Sequence, residues 1–376
     1  MKHRKCRVAL YSPGMVGLGH IRRNASIAMT LSRSALQPVI VMIAEARQAG
    51  ALPMPEGVDC VTLPALRKEA DGRCKPRYLD VSNQELIALR SKVISRAMKI
   101  FEPDVLIVDH LPLGAAGELA RTLERAQKRG STRCVLGLRD VLQDPESVRR
   151  SWSDQTLDAL RDHYDAIWIY GDPDVYDPLR EYGLFDRVAA KVYYTGYLDQ
   201  RPRLEFARTQ AAQVLTDLPP DTTGVIVTGP YMPGKTRQNL RRFAETRPRL
   251  KLLEFVPEPA ALIHRADRVI AMGGYNTMCE VLSFEKHALI VPRVRPKPEQ
   301  LIRAERMRDL GLIDMLHPDQ LSSRALTEWL ARDLGPPPPS RSRIDFGGIT
   351  RIPRLLAELL EVSADTGPQA VAAVAD

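Results

Sequence analysis

Residues 7–31 read RVALYSPGMVGLGHIRRNASIAMTL, and this stretch combines a short apolar segment, a glycine-rich turn and a helical segment. The apolar segment covers residues 7–11 and the helical one covers residues 25–31. A strand that ends in glycines and continues into a helix is the first unit of a doubly wound α/β fold. Such folds bind ligands at the carboxyl end of the strand, where the N-terminus of the next helix favours an anion.

The same alternation of short apolar segments and longer helical segments continues along the chain. Strands alternating with helices predict parallel sheets covered by helices on both faces. The pattern restarts after residues 195–202, so we expect two Rossmann-like halves. The predicted strands are residues 7–11, 39–44, 58–63, 105–108, 134–138, 166–170, 191–195, 224–228, 251–255, 268–271 and 288–292, and the predicted helices include residues 83–101, 113–125, 238–245, 277–284, 299–309 and 352–362.

The length of 376 residues is enough for two domains at about 150 residues each. We expect a first domain over residues 1–198 and a second over residues 199–348. A helix over residues 349–362 would then cross back to the first domain. The Ala-rich end, residues 363–376, has the composition of a disordered tail.

Composition excludes several protein classes. Hydrophobic residues make up 44% and charged residues 27% of the chain, which is ordinary for a globular protein. No apolar run approaches the roughly 18 residues of a membrane span, and the basic start leads into no signal peptide, so we expect a cytoplasmic protein. The five cysteines are scattered and have no metal-ligand spacing, which favours neither a disulfide framework nor zinc.

The net charge of +8 is unevenly distributed. Residues 1–100 hold 17 Lys and Arg against 7 Asp and Glu, a net +10, whereas residues 101–199 hold 12 against 18, a net −6. A basic surface attracts anionic substrates or lipids, although a merely solvated basic face explains it equally well. We expect no nucleic-acid partner, because no basic segment is interleaved with aromatic residues.

The glycine-rich turn contains Gly17, Gly19 and His20. It departs from the dinucleotide fingerprint, because Arg22 stands where the third glycine would be. A histidine in a strand-to-helix turn lies in the ligand crevice by topology, while a buried, structurally satisfied ring is the alternative.

A second glycine turn lies at residues 271–282, which read AMGGYNTMCEVL. Gly273 and Gly274 follow a predicted strand, and Asn276 and Thr277 open a helix, so backbone N–H groups and hydroxyls would face a diphosphate. Glu280, one turn into the helix, suits two ribose hydroxyls. An ordinary helix N-cap is the alternative reading of this segment.

Together the two turns resemble the GT-B nucleotide-sugar glycosyltransferases, especially the branch of the peptidoglycan UDP-N-acetylglucosamine transferase and the monogalactosyldiacylglycerol synthases. The resemblance covers most of residues 7–315 and implies an acceptor-side first domain and a donor-binding second domain facing each other across a cleft. Gln300 matches the family's downstream glutamine. Gly229 matches its second-domain glycine loop, with prolines replacing neighbouring residues, and Phe255 and Val256 match the loop that holds the base.

The resemblance implies inverting transfer of a sugar from a UDP-sugar to an acceptor hydroxyl, without cofactor or metal. We expect His20 to be the general base and Asp109, at the end of the strand 105–108, to orient it. Asp109 with His110 is a second candidate pair, and Asp109 as N-cap of the helix at Leu113 is the structural alternative. Asp172-Pro173-Asp174 has the spacing of a metal motif, but the turn favours capping of the next helix.

Two other functions stay open at this point. A nucleotide-sugar 2-epimerase has the same overall fold, and a non-catalytic subunit could bind the donor alone. The acceptor is either soluble or lipid-linked. In the second case a basic loop with Arg67, Lys68, Arg73, Lys75 and Arg77 would hold the protein peripherally on anionic inner-leaflet lipid.

Overall fold

The first half of the chain forms one parallel sheet of seven strands. The computed structural model describes residues 4–14, 18–45, 54–69, 74–183, 186–206, 215, 218–219, 221–229, 232–256 and 258–364. The strand order is β3-β2-β1-β6-β7-β8-β9, and every adjacent pair is parallel. The strands of this half, including the separate hairpin β4–β5, are β1 Arg7–Ser12, β2 Val39–Ala44, β3 Val58–Thr62, β4 Leu66–Lys68, β5 Cys74–Pro76, β6 Val105–Asp109, β7 Arg133–Arg139, β8 Ala166–Tyr170 and β9 Val192–Tyr194.

Helices cover both faces of this sheet. Alternate residues of β1 face opposite sides, with Val8 and Leu10 in one buried apolar cluster and Ala9 and Tyr11 in the other. Burial on both faces explains why the strands are continuous apolar runs. The helices are α1 Gly19–Ser32, α2 Asn83–Phe101, α3 Ala120–Arg129, α4 Pro145–Ser151, α5 Asp154–His163 and α6 Pro178–Tyr182.

The second half also contains parallel strands, in two separate ladders. Strand β10 (Gly224–Val227) pairs with β11 (Leu250–Leu253), and β12 (Arg268–Ala271) pairs with β13 (His287–Ile290), which pairs with β14 (Asp314–Met315). The predicted α/β class with parallel sheets in both halves is confirmed. The helices are α7 Arg201–Phe206, α8 Gly234–Glu245, α9 Ala260–Arg265, α10 Tyr275–Ser283, α11 Glu299–Asp309, α12 Ser323–Ala331, α13 Ser340–Arg343 and α14 Gly348–Ala364.

The predicted helix over residues 113–125 is wrong at its start, because α3 begins at Ala120. Gly114 and Gly117 both have positive φ, +86° and +81°, which no α-helix allows. The Glu118 carboxylate also accepts a hydrogen bond from the backbone of Ala116 and stabilises the turn instead. The β4–β5 hairpin, β14 and several helices were not predicted, namely α4 to α7, α9, α12 and α13.

Two chain segments lie side by side where they connect the halves, one at Tyr197 and the other from Asp345 to Gly348. Tyr197 donates a backbone hydrogen bond to Asp345, and Gly348 donates one back to Tyr197. Helix α14 then packs against α1 in the first half. The predicted tail beyond residue 364 lies outside the described residues.

We expect Gly348→Ala to lower the free energy of unfolding by about 1–3 kcal/mol through overpacking. A Cβ there would lie 2.7 Å from the carbonyl oxygens of Gly196 and Tyr197, which cannot move without shifting the connection. Gly234→Ala is the matched control, because Gly234 also begins a helix but has no atom near its added Cβ. Urea unfolding followed by circular dichroism measures both, and equal stability of the two variants would contradict the expectation.

Candidate active site

The ends of two neighbouring strands bring His20 and Asp109 together. His20 is the second residue of α1, which follows β1, and Asp109 is the last residue of β6, the strand beside β1. The His20 Nδ1 and Asp109 Oδ2 atoms are 2.5 Å apart. The structure therefore forms the predicted His–Asp pair through His20 Nδ1.

Arg23 holds the carboxylate of Asp109 from the other side. Its Nε donates to Asp109 Oδ1 at 2.8 Å, and its Nη2 lies 2.7 Å from both carboxylate oxygens. Asp109 is fully buried and Arg23 almost so. The alternative role of Asp109 as a helix N-cap is wrong, because the helix begins eleven residues later at Ala120.

The electrostatics of this group favour a neutral histidine. Burial alone would raise the pKa of Asp109, but Arg23 and His20 hold it below its ordinary value. Burial lowers the pKa of His20. The charges of Arg23 and Arg139 lower it further, whereas Asp109 raises it. An ionised Asp109 accepts the Nδ1 proton, so the lone pair is on Nε2, as a general base requires.

The second candidate pair, Asp109 with His110, does not form. His110 has a positive φ of 68° and donates its backbone N–H to the Gly137 carbonyl. Its ring lies against the ring of His20, with 5.3 Å between centroids. Burial, followed by the charge of Arg139, lowers its pKa well below the ordinary value. His110 is therefore a neutral neighbour of His20.

The second glycine turn meets the first at the boundary between the halves. Asn276 Nδ2 donates to the Gly19 carbonyl at 2.8 Å. The buried Tyr275 ring lies 5.4 Å from the Arg23 guanidinium and 5.8 Å from that of Arg303. Gly274 is the N-cap of α10, and Thr277 stays partly exposed beside it. These contacts place the start of α10 next to the start of α1.

Glu280 is buried at the same boundary and faces Arg22. Its carboxylate is 4% exposed and lies 3.7 Å from Arg22 Nη1. Burial raises its pKa, which Arg22 partly offsets. Reaching a ribose would require Glu280 to exchange this ion pair for the ligand.

The other residues predicted to bind the sugar donor lie at the ends of β10 and β11 and on α11. Gly229 and Phe255 follow the paired strands β10 and β11, whose ends are joined by a hydrogen bond from Thr228 to Leu253. Val256 next to them is buried. Gln300 lies on α11, where its Oε1 accepts the backbone N–H of Arg293.

Gly273 of the predicted site packs too closely against α11 for any side chain. A Cβ at Gly273 would come within 2.9 Å of the Gln300 carbonyl oxygen, so only glycine fits there. Gly17 of the same predicted site lies outside the described residues.

Sequence reasoning missed Arg303, which joins the halves through a buried ion pair. Its Nη2 donates to Asp140 Oδ1 at 2.6 Å, and both side chains are 1% exposed. Asp140 also accepts the Tyr197 hydroxyl at 3.0 Å. Arg23 was missed too, although its position three residues after His20 places both on one face of α1.

The Asp172-Pro173-Asp174 turn does not cap the next helix as expected. Asp172 accepts the backbone N–H groups of Asp174 and Asp345, whereas Asp177 is the N-cap of α6. Within the described ranges no three metal-ligating side chains cluster.

Comparison with solved structures establishes the overall fold. MurG of Acinetobacter baumannii is 12% identical, with a TM-score of 0.56 over 94% of this chain and all of that chain. The glycosyltransferase of kitacinnamycin is 15% identical, with a TM-score of 0.59 over 95% of this chain and all of that one. The UDP-GlcNAc 2-epimerase of Neisseria meningitidis, bound to UDP-GlcNAc, is 11% identical, with a TM-score of 0.59 over 96% and 100%. No curated protein sequence matches the chain.

Two halves with parallel α/β sheets give the chain the GT-B architecture, which these transferases and the epimerase share. More particularly, residues 206–338 match the glycosyltransferase family 28 C-terminal domain. Gly229, Phe255, Val256, the second glycine turn, Glu280 and Gln300 all lie in the matched residues.

We expect the free energy of unfolding to fall as the pH falls below about 6.5, by up to about 1.4 kcal/mol per pH unit for each buried histidine. The pKa values of His20 and His110 are lowered in the folded protein, so the unfolded chain binds more protons in this window. Urea unfolding at pH 7.5 and 5.5 measures the loss. His110→Asn, whose side chain tolerates positive φ, should lose less than the wild type. An equal loss in both proteins would contradict the assignment.

Proposed function

We propose that this protein transfers a hexosyl group from a UDP-sugar to an acceptor hydroxyl, with inversion at the anomeric carbon. The observation that carries the proposal is the His20–Asp109 pair, which lies next to the N-terminus of α10. A general base beside an anion-favouring helix N-terminus is what sugar transfer from a nucleotide diphosphate needs.

In the proposed reaction His20 Nε2 takes the proton of the acceptor hydroxyl as its oxygen attacks the anomeric carbon. The bond from that carbon to the diphosphate breaks, and the nucleotide diphosphate leaves with the electron pair. Asp109 keeps the Nδ1 proton in place and stabilises the imidazolium that forms, while Arg23 keeps Asp109 ionised. A single displacement inverts the configuration and needs no covalent intermediate.

We assign the donor mainly to the second half of the chain. Backbone N–H groups at Gly274 and Asn276 and the Thr277 hydroxyl would hold the diphosphate from one side, with Gly19 on the other. The family resemblance assigns Gly17 to the donor as well. The helix N-terminus supplies the charge stabilisation, so we propose transfer without a metal. The remaining roles follow the family resemblance: Phe255 and Val256 hold the base, Glu280 holds the ribose once Arg22 releases it, and Gly229, Gly273 and Gln300 line the donor.

Incubation with UDP-, GDP- and dTDP-sugars tests the activity before the acceptor is known. Slow release of the nucleotide diphosphate indicates a transferase that uses water as acceptor. An interconverted sugar would indicate the epimerase instead, and binding without turnover would indicate a donor-binding subunit. The fold alone does not distinguish these, since the transferases and the epimerase match it equally well.

We expect His20→Ala to lower the rate of this release by roughly 10²–10⁴-fold, the range for loss of a general base. UDP binding measured by calorimetry should stay within about three-fold, because His20 acts on the acceptor. His163→Ala, an exposed histidine bonded to Gln127, is the control and should keep full activity. Near-normal turnover of His20→Ala would place the base elsewhere.

We also propose that the acceptor is lipid-linked and that the first half binds anionic membranes peripherally from the cytoplasm. Tyr78, Leu79 and Val81 are 52%, 47% and 41% exposed, directly after the basic β5 segment with Lys75 and Arg77. Apolar side chains beside basic ones suit the boundary of an anionic bilayer. Of the basic loop, Arg67 is paired with Glu69, and Arg73 lies outside the described residues. None of the described helices combines the length and apolarity of a membrane span.

We expect the protein to sediment with anionic liposomes and not with neutral ones, and less so as salt rises, since each basic residue near the surface contributes about 1 kcal/mol. Reversal of Arg67, Lys68, Arg73, Lys75 and Arg77 to Glu should abolish the preference. Reversal of the exposed Lys128 and Arg129 at the end of α3 is the control. A preference that survives the loop reversal, or none in the wild type, would favour a soluble acceptor.

A further inference from the structure

Arg139 lies in the middle of the candidate site, yet neither the family resemblance nor the proposed mechanism uses it. It is the last residue of β7, and β7 lies directly beside β6, which ends at Asp109. Its charge lowers the pKa values of both His20 and His110. Its guanidinium therefore lies at the carboxyl edge of the sheet, among the groups proposed to act on the acceptor.

The guanidinium of Arg139 differs from those of its cationic neighbours in having no partner among the described residues. Arg23 is paired with Asp109, and Arg303 is paired with Asp140. No described residue forms a hydrogen bond or ion pair with the Arg139 side chain, and its Nε is buried without a hydrogen-bond acceptor. A buried donor that lacks an acceptor is costly, so the arrangement calls for a ligand.

The charges around Arg139 leave the site positive. Glu299 acts on Arg139, but its carboxylate already accepts a hydrogen bond from Arg293 at 2.6 Å. Burial and then the charge of Arg303 lower the pKa of Arg139 to about 10, which still leaves the group charged at neutral pH. The cations that act on the two histidines or on Arg139 itself are Arg23, Lys297 and Arg303, against the anions Asp109, Asp140 and Glu299. With Arg139 included, four cations face three anions.

We propose that Arg139 binds an anionic group of the substrate, a phosphate or a carboxylate, next to His20. The planar guanidinium matches both groups in a two-point hydrogen bond. Two sources share this chemistry: the diphosphate of the donor and an anionic group of the acceptor close to its reacting hydroxyl. This inference rests on the proposed transfer only in treating the anion as part of the substrate. The anion site itself is defined by Arg139, whatever reaction takes place there.

Binding of the anion would also strengthen the base. Burial lowers the pKa of His20, the charges of Arg23 and Arg139 lower it further, and Asp109 raises it. An anion that neutralises Arg139 removes its contribution and raises the pKa of His20. The ring of His110, which lies against that of His20, is neutral and does not oppose the change. His20 thus becomes a better proton acceptor when the substrate is in place.

Calorimetric titration of the UDP-free protein with inorganic phosphate at pH 7.5 tests the site. We expect Arg139→Gln to weaken phosphate binding at least ten-fold and Arg139→Lys to weaken it less. Arg150→Gln, an exposed arginine on α4, is the control and should bind as the wild type does. Equal affinity of Arg139→Gln and wild type, or no phosphate binding by the wild type, would overturn the proposal.

Histidine NMR gives a readout that a structural role would not move. Phosphate should raise the pKa of His20 in the wild type, whereas in Arg139→Gln the pKa should already be higher and not respond. The melting temperature of Arg139→Gln should equal or exceed that of the wild type, because the guanidinium has no protein partner to lose. A His20 titration in the wild type that ignores phosphate would contradict the coupling.

UDP affinity then identifies the source of the anion. A ten-fold loss of UDP binding in Arg139→Gln assigns Arg139 to the donor diphosphate, and unchanged UDP binding assigns it to the acceptor. Either result supports an anion site. If the wild type binds no UDP and releases none from a UDP-sugar, the proposed transfer fails, while the phosphate titration, which needs no UDP, still decides the role of Arg139.

Discussion

The buried ion pair between Arg23 and Asp109 is the interaction on which the candidate site depends. Asp109 ends a central strand with its carboxylate removed from water, and such a group stays ionised only if a cation meets it. Arg23 does so through three short contacts from α1. The same guanidinium lies over Tyr275 of the second half. One residue therefore fixes the charge of Asp109, the tautomer of His20 and the approach of α10.

Charged groups also join the two halves, and they differ in burial. Arg303 and Asp140 form an almost fully buried pair, whose separation would leave an uncompensated charge on either side. Arg203 pairs with Glu258 and donates to Ser26 across the boundary. The Arg22–Glu280 contact is longer and its arginine is partly exposed. The boundary thus combines closely paired, buried contacts with a longer and more exposed one.

Charge counted along the sequence gives an incomplete picture of where the basic residues act. Part of the excess in residues 1–100 is buried: Arg23 pairs with Asp109, and the fully buried Arg90 lies between Glu45 and Glu118. Conversely, Arg139 belongs to a segment of net negative charge, but its guanidinium has no partner among the residues that the structure describes. Local pairing, which depends on the fold, decides the electrostatic character of each surface.

Features that depend on neighbouring residues follow from local pattern alone. Short apolar runs located the strands, and helical periodicity located α2, which in the structure begins with a capping box of Ser82 and Glu85. Parallel strands present their carboxyl ends at one edge, and together with the family resemblance this predicted His20 beside Asp109. The partners of Arg23 and Arg303, the Arg139 side chain without a described partner, the late start of α3 and the Glu280 contact with Arg22 became apparent only in the folded chain. These depend on residues far apart in the chain or on glycine backbone angles, and local pattern contains no information about which distant charge a side chain meets.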